Sequence, residues 1–92
     1  MKNIIKLDPE RIDDREKLKT YMREIFGFSQ EEIPNLDALY DELSEVSKKT
    51  TIKLSRAALR AIILDDFAFT VLKVLTRAAD ENPHIHLLVS GR

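Results

Sequence analysis

Residues 50–55 read Thr50-Thr51-Ile52-Lys53-Leu54-Ser55. On an extended chain successive side chains point to opposite faces, so Ile52 and Leu54 share one side while Thr51 and Lys53 share the other. A parallel strand covered on both faces would be apolar throughout. This one has a wet side, which predicts a sheet covered on one face only. Ser55 is a natural N-cap, and a short helix is expected from it to about Leu64. Asp65 or Asp66 then starts a long helix reaching about Glu81, with an apolar stripe of Ala68, Val71, Leu72, Leu75, Ala78 and Ala79. Asn82-Pro83 stops it. His84 to Ser90 reads as another strand, in which Ile85, Leu87 and Val89 oppose His84, His86 and Leu88.

Toward the N-terminus, Asn35 follows Pro34 and caps a helix whose stripe is Leu36, Leu39, Tyr40, Leu43 and Val46. Ser29 to Pro34 is a linking segment. Before it, Asp13 or Asp14 caps a helix to about Phe26, with Leu18, Tyr21, Met22 and Ile25 at helical spacing and Gly27 as its stop. Asn3 to Leu7 is a first strand, with Ile5 and Leu7 on one face and Ile4 and Lys6 on the other, ended by Asp8-Pro9. The order is β-α-α-β-α-α-β. Strands joined by helical crossovers are parallel neighbours, and crossovers of one hand progressing in one direction put the helices on one face. The expected fold is α/β, two layers, with a three-stranded parallel sheet in the order 1-2-3 and four helices packed mainly on one side.

Ninety-two residues are enough for one hydrophobic core, so residues 1–92 are read as a single domain. A composition 43% hydrophobic and 34% charged, with two Gly and three Pro, fits an ordered fold rather than a disordered chain. The absence of Cys excludes disulfides and thiolate chemistry. Charges interrupt the apolar run of Met1 to Leu7, which lacks the pattern of a signal peptide. Arg60, Asp65, Asp66 and Lys73 break the apolar-rich segment Ala57 to Leu75, which excludes it as a membrane span. A cytoplasmic, soluble protein is expected.

The net charge of −1 conceals a strong asymmetry. From Glu24 through Ser47 there are seven acids and no Lys or Arg, while the remainder holds fifteen bases against nine acids. Such a block repels nucleic acid and steers basic surfaces toward it. Within it Asp37 and Asp41 are four apart, so on a helix they stack on one face, with Ser44 a turn further along. Helix stability asks for none of this: the pair repels itself mildly, and a helix N-terminus accounts for Asp37 but not for Asp41, Glu42 and Glu45. A plain solvated acidic face is the simplest reading; a surface for a basic partner is the functional one.

The run Asn35-Leu36-Asp37-Ala38-Leu39-Tyr40-Asp41-Glu42-Leu43-Ser44 closely resembles the N-L-D-A-L-W-D-x-L-T signature of the barstar family, intracellular inhibitors of a secreted bacterial ribonuclease. Val71-Leu72-Lys73-Val74 and the stretch from Ala78 to Ser90 look like the family's last helix and strand, and the element order matches over nearly the whole chain. The resemblance implies a non-catalytic inhibitor that places its second helix and the preceding loop in a nuclease active site; a 1:1 complex is expected, with the free protein a monomer in preference to a homodimer. Carried over by position, Asp41 is the central acid and Asp37 meets an Arg or Lys one turn earlier. Asn35 positions the loop and caps the helix, Ser44 takes the place of a rim Thr, and Tyr40 replaces a Trp. Glu81 matches an acid on the last helix, and Glu31 lies in the partner-binding loop. The sequence departs from the family where Glu31, Glu32 and Ile33 stand for two aromatics and a Gly. Arg77 stands for an acid, and Glu42 and Pro83 for two Cys. These departures leave open a different basic partner bound by the same fold without ribonuclease inhibition.

Other chemistry is weakly represented. His84 and His86 would sit on one strand face, about 7 Å apart at Cα, but no third metal ligand is evident. The apolar segment from Ala57 to Phe69, with Leu59, Ile62, Ile63, Leu64 and Phe67, reads as core with a residual patch that could serve a homodimer. Two glycines allow no phosphate-binding loop, and a carboxylate pair on a convex helix is poorly placed for enzymatic acid–base work. No enzyme activity, cofactor, metal, nucleic-acid or membrane partner is expected.

Overall fold

The computed structural model describes residues 3–28 and 35–90. Strands β1 (Asn3–Lys6), β2 (Thr50–Leu54) and β3 (Ile85–Val89) form one parallel sheet in the order β1-β2-β3. Four α-helices are present among the described residues: α1 (Arg15–Phe26), α2 (Leu36–Ser44), α3 (Arg56–Ile63) and α4 (Asp66–Glu81). The α/β architecture and strand order are those predicted from the succession of strands and helical crossovers. In register, Ile5 lies beside Ile52 and Ile52 beside Leu87, so apolar side chains line up across the helix-facing side. Leu7, Ile52, Leu54 and Ile85 are buried there in one cluster with helix residues such as Met22, Leu39, Leu43, Ile62, Val71 and Leu75. On the reverse side Ile4, Lys6, His86 and Leu88 are exposed. That side is the wet face expected.

Each of the four described α-helices has a side-chain N-cap, because the first turn leaves backbone N–H groups without partners. Asp14 accepts from Glu16 N and Lys17 N, Asn35 from Ala38 N, Ser55 from Ala58 N and Asp65 from Ala68 N. Asp14 therefore caps α1, leaving Asp13 to pair with Lys17 at 3.1 Å, and Asp65 rather than Asp66 caps α4. Gly27 closes α1 with φ 75°, its N–H donating to Arg23 O at 2.9 Å. That left-handed conformation is one that L side chains adopt only at a cost.

Three details differ from the expected elements. Pro9–Arg11 is a 3-10 turn capped by Asp8, and it delivers the fully buried Ile12 to the core. Tyr21 holds this turn: its hydroxyl donates to Lys6 O at 3.0 Å and accepts from Asp8 N at 3.1 Å. Second, α2 ends at Ser44, so Val46 packs against the core from the following loop rather than from the helix stripe. Third, β3 begins at Ile85 and leaves His84 in a turn. The cause is Asn82, whose Oδ1 accepts from His84 N at 2.9 Å. His84 and His86 consequently do not share a strand.

A candidate protein-docking face on helices α2 and α4

Helix α2 is anchored by its apolar face. Leu39 and Leu43 are fully buried, and Leu36 and Tyr40 are half-buried at its flank. Asn35 is its N-cap at 2.8 Å, and the far end is held by Asn82, whose Nδ2 donates to Leu43 O at 2.9 Å and Val46 O at 3.0 Å. Asn82 is itself buried, at 5% exposed. The start of α2 shares a small depression with Phe67 near the start of α4, and its end meets Asn82 just past the end of α4. The two helices therefore run side by side in the same direction, as two helices that each precede a parallel strand must.

This anchoring turns the opposite face outward. Asp37 and Asp41 are exposed, one helical turn apart, and neither carboxylate has an ion pair or hydrogen bond among the described residues. Glu42 is half-buried, away from that row. Ser44 donates its hydroxyl to Asp41 O at 2.6 Å, so it is turned back onto its own helix. Glu81 is exposed at the end of α4, one turn beyond Arg77. Glu31, Glu32 and Ile33 lie outside the described residues. Of the residues singled out by sequence, the fold thus places Asn35, Asp37, Tyr40, Asp41 and Ser44 on one helix, and Glu81 on its neighbour.

Two residues of α4 join them. Leu36, Asp37, Tyr40 and Asp41 on one side and Val74 and Arg77 on the other line a depression of about 310 Å³ between the helices. The guanidinium of Arg77 lies over the Tyr40 ring, 5.1 Å from its centroid, which fixes a cation beside the acidic row. A second depression of about 290 Å³ continues along α4 past Arg77, bordered by Phe69, Leu72, Lys73, Thr76 and Asp80. Val74 escapes sequence reasoning because it belongs to the α4 stripe's edge, and only the pairing of α2 with α4 gives it a place on this face.

The acidic block is smaller at the surface than in the sequence. Glu24 on α1 takes a bidentate pair from Arg11, at 3.0 and 2.6 Å, and the Arg11 hydrogen bond holds its carboxyl below the usual carboxylate range. Arg11 also stacks on Tyr21, 4.6 Å from the ring centroid. Glu24 thus belongs to a structural cluster, whereas Asp37 and Asp41 are exposed without an ion pair among the described residues. Nothing here assembles a metal site: no group of three or more His, Cys, Asp or Glu that could hold an ion occurs among the described residues. His84 Nδ1 lies 3.2 Å from Asn82 Oδ1, inside the turn. No described helix is long and apolar enough to cross a membrane. No family model and no curated protein matches the chain.

Proposed function

We propose that this protein is a barstar-like inhibitor, a non-catalytic cytoplasmic protein that blocks the active site of a basic partner, a barnase-type ribonuclease, with α2. The observation that carries the reading is the state of Asp37 and Asp41: two exposed carboxylates, unpaired among the described residues, a turn apart on a helix locked by its buried face and by Asn35 and Asn82. A rigid row of carboxylates offers a nuclease the charge its phosphate site is built to hold, without ordering a flexible segment on binding. Long-range attraction to a basic cleft speeds encounter, and added salt slows it. The resemblance of residues 35–44 to the barstar signature supplies the target class, with Asp41 as central acid and Asp37, Asn35, Tyr40, Ser44, Glu31 and Glu81 around it.

Arg77 favours a second reading: a barstar-fold interaction module with a different basic partner. Its guanidinium, stacked on Tyr40, places a cation where a purely basic cleft would have to approach. One titration separates the two. The purified protein is added to a barnase-type ribonuclease at low ionic strength, beside its Asp41→Ala variant. Stoichiometric inhibition that the variant weakens by about 3 kcal/mol, from leaving a buried cation of the nuclease unpaired, supports the inhibitor. Absence of inhibition at micromolar excess leaves the second reading.

A further inference from the structure

The docking face carries charges of both signs in a pattern that complements itself. On α2 the acids Asp37 and Asp41 border the groove; on α4 Arg77 borders it from the other side. Arg77 is laid over the Tyr40 ring at 5.1 Å and has no ion pair among the described residues. Aromatic stacking positions this cation without neutralising it. Lys73 is turned away, over Phe69 in the neighbouring depression. Between Arg77 and the acids lies the partly apolar floor of Leu36, Tyr40 and Val74.

From this we infer that the protein pairs with a second copy of itself through this face, on a two-fold axis running along the groove between α2 and α4. Such an axis exchanges the two sides of the groove and preserves position along it. Helix α2 of one copy then faces α4 of the other at the same level. Because the helices run in the same direction and Asp41 and Arg77 border the same depression, Asp41 meets Arg77 of the second copy. The symmetry repeats this pair, as an isologous interface requires. Asp80 and Glu81 follow Arg77 on α4, so the attraction is confined to this level of the groove. Exposed ion pairs are individually weak and are screened by salt, so the dimer is a weak, salt-sensitive one that exposes the acidic row on dissociation.

The inference does not rest on the ribonuclease reading and is tested with the protein alone. Sedimentation velocity from about 1 µM to about 1 mM follows the monomer–dimer equilibrium by mass action. The expected result is doubling of the mass at low ionic strength and its loss at high ionic strength. Asp41→Lys and Arg77→Glu each place like charges in the two symmetric contacts and weaken the dimer by roughly tenfold or more. Mixing the two variants restores it: the lysine introduced in one meets the glutamate introduced in the other, and the remaining contact is the native one between Arg77 and Asp41. Restoration by mixing also shows that both variants fold. A wild-type chain that stays monomeric throughout, a dimer indifferent to both reversals, or a mixture that does not recover each overturns the inference.

Discussion

Asn82 joins three parts of the molecule through one carboxamide. Its Nδ2 holds the carbonyls of Leu43 and Val46 at the end of α2, while its Oδ1 holds the N–H of His84 ahead of β3. Replacing it by Ala leaves these buried or half-buried backbone groups without partners, and each such loss costs about 1–3 kcal/mol. Asn82→Ala is therefore expected to lower stability by roughly 3 kcal/mol in urea denaturation. The same variant frees the C-terminal end of α2, so the amides of residues 43–46 exchange faster even under fully native conditions. Sequence reading assigns Asn82 only the role of ending a helix together with Pro83. Its contacts 36 and 39 residues away belong to tertiary structure and have no local signature.

At the scale of elements, each helix is specified twice, by its apolar spacing and by its ends. Leu18, Tyr21 and Met22 are the buried face of α1, and Ala68, Val71, Leu75 and Ala78 that of α4, all of them on the periodic stripes read from the sequence. Gly27 ends α1 in a left-handed conformation, and a Cβ at that position would meet nothing within 4 Å, so the cost of a side chain there is conformational rather than steric. Gly27→Ala is expected to cost about 1 kcal/mol, read from the urea midpoint with an unchanged slope. The acidic helix is legible at the same level: Asn35, Asp37 and Asp41 fall where the capping and four-residue rules put them. The turn at Pro9–Arg11 is not, because a three-residue turn has no periodicity and its anchor, Tyr21, comes from another helix.

For the whole molecule, two titrating groups tie stability to pH from opposite ends. Glu24 is held below its ordinary value of 4.5 by the hydrogen bond from Arg11. Its contribution is present above that ordinary value and is lost as pH falls through the lower folded one. Glu24→Gln should accordingly flatten the acid limb of a Tm–pH curve. Tyr21 behaves in the reverse sense: burial raises its phenol above the ordinary 10.0. Its contribution is complete below that value and disappears as pH rises through the raised one. Tyr21→Phe should lower stability near neutrality by about 1–2 kcal/mol through the lost hydrogen bonds. It should also reduce the alkaline decline relative to wild type, in thermal melts compared on either side of pH 10.

Sequence by itself determined the three strands and four α-helices, their order, the parallel sheet and its single covered face, because side-chain period and helix caps are local properties of the chain. It also placed the acidic residues on one helix and set them four apart. Tertiary structure alone decided that α2 and α4 lie side by side, that Arg11 takes Glu24 out of the acidic block, and that Arg77 stacks on Tyr40 at the edge of the acidic row. These follow from which buried surfaces meet. Two helix faces far apart in sequence share a groove only once Leu39, Leu43, Val71 and Leu75 have packed into one core.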